Sequence, residues 1–293
     1  MESVQQEFAK AVKKGDAPRV QQLIAAGANV GAPDADGKTA LTQAAANGDI
    51  QTAKVLIDAG ADVNATGTTS DEILAEGMRQ IGEDAAKGKP SLFTRLMLRL
   101  PRLLTMPLAW LKGAWFVVKN IRHTAHRSEA TRTPLMCAVE HGHVDMARFL
   151  LDAGANVNAT ALWNLTDGCT ALMFAADQGN AELTALLLER GAHVNAADET
   201  EQNALMRAAA AGNAATVACL AAHGAALDAR DMDGATALMF AAFNGHADIV
   251  QLLLDKGADI HATDSEDDTA LNYAESNKHR AIAAMLRAAG ARG

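Results

Sequence analysis

The sequence predicts an all-α repeat protein, a solenoid of helix-turn-helix units stacked side by side. Three observations predict it. Two independent glycine series run through the chain with one shared period. Short apolar segments at helical spacing lie between successive glycines. The composition is 49% hydrophobic but only 4% aromatic, which suits closely packed helices and starves the strands of a sandwich or barrel of their usual residues. The 293-residue length allows one large domain or two ordinary ones, and the apolar content is too high for a disordered chain.

The period is read directly from the glycines. A Gly-Ala step falls at Gly27, Gly60, Gly154, Gly191, Gly224, Gly257 and Gly290. The second series is Gly15, Gly48, Gly142, Gly179, Gly212 and Gly245, with Lys278 in the seventh place. Both series step by 33 residues, except for one interval of 94 and one of 37, which carry 61 and four extra residues. A fixed period of this size is the signature of a repeat architecture.

Each unit follows one physical plan. A Thr-Ala/Pro-Leu step opens a short helix, as at Thr39, Thr133, Thr170, Thr236 and Thr269. Threonine can cap the helix, and Pro134 suits its first position. A glycine of the second series ends it, where a left-handed residue is wanted. A second apolar helix follows, for example Asp248 to Leu254, and a Gly-Ala step closes that one. A Val-Asn-Ala turn then leads onward, as at Val63-Asn64-Ala65 and Val157-Asn158-Ala159.

These residues resemble the ankyrin repeat over about 1–65 and 131–293. The resemblance implies stacked helix pairs with projecting β-hairpin fingers and a concave face used for protein recognition. Seven units begin near Ser3, Asp36, Thr131, Asp167, Glu201, Asp233 and Asp267. The first opens with a capping box, Ser3-x-x-Gln6. The last has Glu275 and Lys278 where alanine and glycine are usual. Both read as polar caps, which a solenoid needs at its ends. The sequence departs from the family at Met136, Met173, Met206 and Met239, which stand where histidine is usual. Flexible apolar packing then replaces a polar tie between turns.

The chain divides into repeats at 1–65, an insertion at 66–130 and repeats at 131–293. The insertion reads as helical and amphipathic. Thr69-x-x-Glu72 is a capping box, Ser91 can cap a second helix, and Pro107 can start a third. Arg95, Arg99 and Arg102 make one basic stripe at helical spacing, and Leu92, Phe93, Leu96, Met97 and Leu100 cover much of the remainder. Trp110, Lys112, Trp115, Phe116 and Lys119 follow. Between Lys87 and Arg127 there are nine Lys/Arg and no Asp/Glu, leaving 17 basic against 35 acidic residues elsewhere. The net charge of -9 is therefore the sum of +9 and -18. Such a segment either packs on the array or lies in lipid headgroups, where each cation adds about 1 kcal/mol on an anionic surface. A transmembrane span is disfavoured, because the apolar stretch is short and holds Lys112.

Function is expected to be binding. The sequence has no phosphate loop, Gly-x-Ser-x-Gly, kinase set or Cys-x-x-Cys, so it predicts no enzyme, no cofactor and no metal. His141 and His143 read as turn residues rather than ligands. Cys137, Cys169 and Cys219 are odd in number and far apart, and read as small hydrophobes in a reducing compartment. No secretory leader is recognised at the start, and a cytoplasmic location, with association at a membrane, is the expectation. The expected partner-binding residues of the array are Trp163, the acidic finger residues Asp198, Glu199, Glu201, Asp231, Asp233 and Glu266, and the inner-face pair Phe243 and Asn244. Those of the insertion are Arg95, Arg99, Arg102, Trp110, Lys112, Trp115, Phe116 and Lys119.

The favoured function is a non-catalytic adaptor that binds a protein through the array and docks to a membrane surface or membrane protein through the insertion. Alternatives are a soluble inhibitor or immunity-type protein with the insertion packed on the array, and a lipid- or nucleic-acid-phosphate-binding protein. Nucleic acid is disfavoured by the surrounding negative charge. The acidic fingers could also receive the chain's own basic insertion.

Overall fold

The structure, a computed structural model, describes residues 3–34, 37–67, 132–163 and 166–291. The readings made for the insertion, including Arg95, Arg99, Arg102, Trp110, Lys112, Trp115, Phe116 and Lys119, lie outside the described residues. Within those residues the chain forms seven helix pairs. They are α1 (Val4–Lys14) with α2 (Ala17–Ala25), α3 (Ala40–Ala46) with α4 (Ile50–Asp58), and α5 (Pro134–Glu140) with α6 (Val144–Asp152). Next come α7 (Ala171–Asp177) with α8 (Ala181–Glu189), and α9 (Ala204–Ala211) with α10 (Ala214–Ala222). Last are α11 (Ala237–Asn244) with α12 (Ala247–Asp255), and α13 (Ala270–Ser276) with α14 (Arg280–Ala288).

Helix starts follow from side-chain caps. Ser3, Thr39, Thr133, Thr170, Asn203 and Thr269 each accept the backbone N–H three residues on. Ser3 and Gln6 form the reciprocal capping box expected of the first unit, at 3.3 and 3.1 Å. The odd-numbered helices make the inner row, and they pack closely because alanine meets alanine. Ala44, Ala45, Ala138, Ala175, Ala176, Ala208, Ala209, Ala241 and Ala242 are all buried. Met136, Met173, Met206 and Met239 are buried with them, in the apolar role their replacement of histidine implied.

The repeats are sewn together by polar groups at two levels. On the inner row, the residue after the helix-ending glycine reaches back to the preceding unit. The imidazoles of His143, His246 and His279 donate through Nε2 to the carbonyls of Ala46, Ala210 and Phe243, at 3.0, 3.1 and 3.0 Å. Asn213 does the same to Ala176, at 2.9 Å. On the outer turns, an asparagine amide spans two backbone groups of the next unit. Asn158 donates to Gly191 O and accepts from His193 N, and Asn195 donates to Gly224 O and accepts from Ala226 N.

Both stitches cross the insertion. His143 reaches Ala46, and Asn64 bonds Gly154 O and Asn156 N although these lie 90 and 92 residues away. Helices α3 and α5 pack directly. The second and third units are therefore ordinary neighbours.

The inner-row stitch also explains one glycine series. Gly212 has φ +80, and a Cβ added there would lie 2.7 Å from the His246 ring. Gly224, of the Gly-Ala series, has φ +84 and open space around it. Lys278 takes the same left-handed turn, at φ 65, in the last unit.

The fingers are less regular than the resemblance implied. Among the described residues, one hairpin forms, β1 (Thr160–Trp163) against β2 (Thr166–Thr170), where the chain has its four extra residues. Other fingers hold only isolated bridges, Ala197 to Asn203 and Thr263 to Thr269. Aspartate side chains close these loops in place of a backbone ladder.

Two stability experiments follow. Gly224→Ala should cost about 1–2 kcal/mol, for left-handed strain alone. Gly212→Ala should cost about 1 kcal/mol more, because it also displaces the His246 hydrogen bond. Urea unfolding followed by circular dichroism separates the two; equal losses would rule out the role assigned to His246. Asp228 occupies the asparagine position of the next outer turn and accepts from Asp259 N, at 2.7 Å, but has no amide to donate. Asp228→Asn should therefore raise stability by about 0.5–1.5 kcal/mol, and thermal unfolding at neutral pH measures it.

Candidate partner-binding face

The inner row and the finger loops share one face, and the last three units concentrate their polar chemistry on it. Asp198, Asp231 and Asp264 recur every 33 residues, one per finger. The sequence reading placed Asp198 and Asp231 at exposed finger tips. The structure corrects this: both are buried, and so is Asp264. Each turns one carboxylate oxygen into its own loop. Asp198 accepts from the N–H groups of Thr200 and Gln202, Asp231 from those of Asp233 and Ala235, and Asp264 from those of Glu266 and Asp268. One oxygen of each carboxylate is thus committed to holding its own finger.

Asp198 belongs to a buried hub. Arg207 Nη2 donates to its Oδ2 at 2.6 Å and contacts Cys169 Sγ at 3.2 Å, while Nη1 donates to Asp177 Oδ2 at 2.9 Å. Burial pulls Asp198 up, but the hydrogen bonds from Arg207 and Thr200 outweigh it and hold the carboxyl below the usual range. Asp177 shifts the other way, chiefly through burial, despite the same arginine. Asp198 is the principal partner, because it has the shorter bond and further donors. Burial pushes the Cys169 thiol up to about 11 and the Cys137 thiol to about 12, so neither is a ready nucleophile. Cys219 is half-buried.

Asp264 is satisfied differently. The Tyr273 hydroxyl donates to its Oδ2. That bond raises the tyrosine and, with the loop N–H groups, outweighs burial to hold Asp264 below the usual carboxylate range.

Between these two arrangements lies a pocket of about 250 Å³, lined by Gln202, Asp231, Asp233, Ala235, Met239, Phe240, Phe243 and Tyr273. Phe243 is 46% exposed and meets Tyr273 edge-on, with ring centroids 5.9 Å apart. Met232, on the adjoining finger, is 66% exposed. A larger pocket of about 480 Å³ lies at the other end, beside Phe8, Lys10, Lys13, Asp34 and Lys38. It lacks the pairing of rings with a buried carboxylate.

Three residues expected from sequence therefore converge on one pocket: Asp231, Asp233 and Phe243. Glu199, Asp233 and Glu266 are exposed. Glu201 is exposed and sits in a left-handed turn at φ 61. Asn244 is exposed, but its amide donates to Phe240 O in its own helix, at 2.9 Å. The Trp163 backbone lies in β1, apart from the pocket lining. Sequence reasoning missed Gln202, Met232, Phe240 and Tyr273. Aligning the units position by position would have shown aromatic side chains at Phe174, Phe240 and Tyr273, on the inner helices. His141 and His143 bond the carbonyls of Cys137 and Ala46, in structural roles. Among the described residues no cluster of His, Cys, Asp or Glu could hold a metal, and no helix is long and apolar enough to cross a membrane.

Stacked helix pairs, finger loops and an inner-face pocket define a repeat protein that interacts with other proteins. The family model for ankyrin repeats (three copies) matches residues 8–76, 111–198, 161–231 and 205–292. The chain belongs to the ankyrin-repeat family. No curated protein matches it.

The Asp198 hub makes a pH-dependent prediction. A carboxyl held low in the folded state contributes stability above its unfolded pKa of about 3.9 and loses it as pH falls through the folded value. Asp198→Asn should therefore destabilise at pH 7, and the gap from the parent protein should narrow below about pH 4. Urea unfolding across that range measures it; a gap independent of pH would refute the ion-pair account.

Proposed function

We propose that this protein is a non-catalytic adaptor. Its inner face captures a protein partner, and its basic insertion docks the array to an anionic membrane surface or to a membrane protein. The single observation that carries the capture reading is the Phe243 pocket. There a half-exposed aromatic ring and a second ring on the inner row meet one buried finger carboxylate, Asp231, the composition of an interface anchor site.

The docking reading rests on charge sorting and on stacking. The second and third units pack and hydrogen bond directly with each other across the 61 extra residues. From Lys87 to Arg127 this segment has nine cations, two tryptophans and no acid, the composition of a docking element. Headgroup phosphates and the acyl boundary match its two faces.

Flotation with vesicles tests this. The full chain should float with phosphatidylcholine vesicles containing phosphatidylserine, and less so at high salt. Phosphatidylcholine alone should retain little. Reversing Arg95, Arg99 and Arg102 to Glu should weaken partitioning by about 100-fold, taking about 1 kcal/mol per cation. The circular dichroism of the array should be unchanged. Equal flotation of the parent and reversed chains would refute lipid docking through this stripe.

A further inference from the structure

The last three fingers solve one local problem in three ways, and the middle solution is incomplete. Each buried aspartate satisfies one oxygen inside its own loop. The other oxygen turns toward the inner helix that follows, at the residue four beyond that helix's cap. In the fifth unit this residue is Arg207, which donates to Asp198 Oδ2 at 2.6 Å. In the seventh it is Tyr273, whose hydroxyl donates to Asp264 Oδ2. In the sixth it is Phe240, which has no donor. Among the described residues Asp231 Oδ2 is left with a single long hydrogen bond, from Gln202 Nε2 at 3.4 Å. Asp231 is only 8% exposed, and it lines the pocket.

A second comparison bears on the same place. Upstream, Arg132 lies over the ring of Phe174, with its guanidinium carbon 5.6 Å from the centroid. Phe174 and Phe240 are equivalent positions of their repeats, and Gln202 is the equivalent of Arg132. The array thus uses arginine twice on this layer, once against a carboxylate and once over a phenylalanine. The sixth unit presents both kinds of acceptor together with no arginine at the equivalent positions, and Arg230, beside Asp231, donates instead to Thr263 O at 2.6 Å.

We infer that the pocket between the sixth and seventh units receives an arginine side chain from the protein partner, its guanidinium donating to Asp231 Oδ2 and lying against Phe240 and Phe243. This inference rests on the reading of the inner face as a capture surface, and it names the chemistry captured. The guanidinium has several donors in a flat fork and stacks on rings; it fits a site with one open carboxylate oxygen and aromatic walls better than an ammonium does. A volume of about 250 Å³ is below the range of drug-sized ligand sites, roughly 300–1,000 Å³, and suits a single inserted side chain. Asp233, exposed at the rim, adds negative charge on the approach.

The test uses a variant built on the molecule's own alternative. Phe240→Tyr should give Asp231 the internal donor that Tyr273 gives Asp264, so the variant should fold and unfold at a higher temperature than the parent. Random peptides displayed against the full chain should enrich for arginine. In a selected peptide made synthetically, replacing that arginine by citrulline, its neutral isostere, should weaken binding at least about tenfold, as expected for loss of a charge-assisted hydrogen bond. Phe240→Tyr should weaken the arginine peptide comparably. Selected peptides without arginine enrichment, citrulline peptides that bind equally, or a Phe240→Tyr protein of unchanged affinity would each overturn the arginine pocket while leaving protein capture standing. If no peptide is selected and affinity capture with the full chain also retains no protein, the capture reading fails as well.

Discussion

Everything in this molecule depends on the interface between one repeat and the next. Its inner helices are seven or eight residues long after the first unit, and its outer helices nine. Isolated helices of that length are marginal in water, and one pair has no second layer against which to bury its apolar side. Stability must therefore come from stacking. The inner row achieves it with alanine, which lets backbones approach closely, and with methionine where gaps remain. The polar stitches then fix the register, because each His or Asn donor meets carbonyls at one place on the neighbour. Stability of this kind is close to a sum of nearest-neighbour terms, which is why a long insertion is tolerated. It needs only to leave and re-enter at a finger, where the stacked surfaces are not interrupted.

The fold was legible in the sequence because the stacking constraint repeats. Gly15, Gly48, Gly142, Gly179, Gly212 and Gly245 mark it, and even the exception at Lys278 keeps the left-handed geometry. Capping residues were legible for the same reason, since a cap acts within its own turn. The site was only partly legible. Phe243 stood out as an aromatic at an exposed repeat position. Asp198 and Asp231 were read by charge alone as surface groups, whereas their hydrogen bonds are set by loop closure, which composition does not reveal. Phe240 and Tyr273 give no signal in the sequence, because each makes sense as packing in isolation. Their meaning comes from what faces them, a carboxylate supplied by a loop nine residues earlier.

The electrostatics divide along the same line between packing and partner. Several charges of the array are paired. Arg207 holds two carboxylates, Arg132 pairs with Glu140, and the terminal unit pairs Arg287 with Glu275. The exposed pairs contribute little to stability, but the Asp198 pair, with a side chain fully buried, cannot lose one member cheaply. Acidic residues that stay exposed, such as Glu199, Asp233 and Glu266, crowd the finger side of the last three units. The inner face is therefore a negative surface whose buried carboxylates are hydrogen-bonded at both oxygens, least well at Asp231.

That exception is informative because the repeat supplies its own controls. A buried carboxylate oxygen with one poor hydrogen bond carries a cost, and the chain twice shows how it can be avoided, by arginine in the fifth unit and by tyrosine in the seventh. Tyrosine at position 240 would differ from phenylalanine by one hydroxyl in a place where Tyr273 already demonstrates the fit. Packing alone gives no reason to omit it. A local rule broken without an internal gain belongs to function more often than to folding. Here the break lies in the pocket that Asp231 shares with Phe240 and Phe243, which is where a partner's side chain could restore the missing donor.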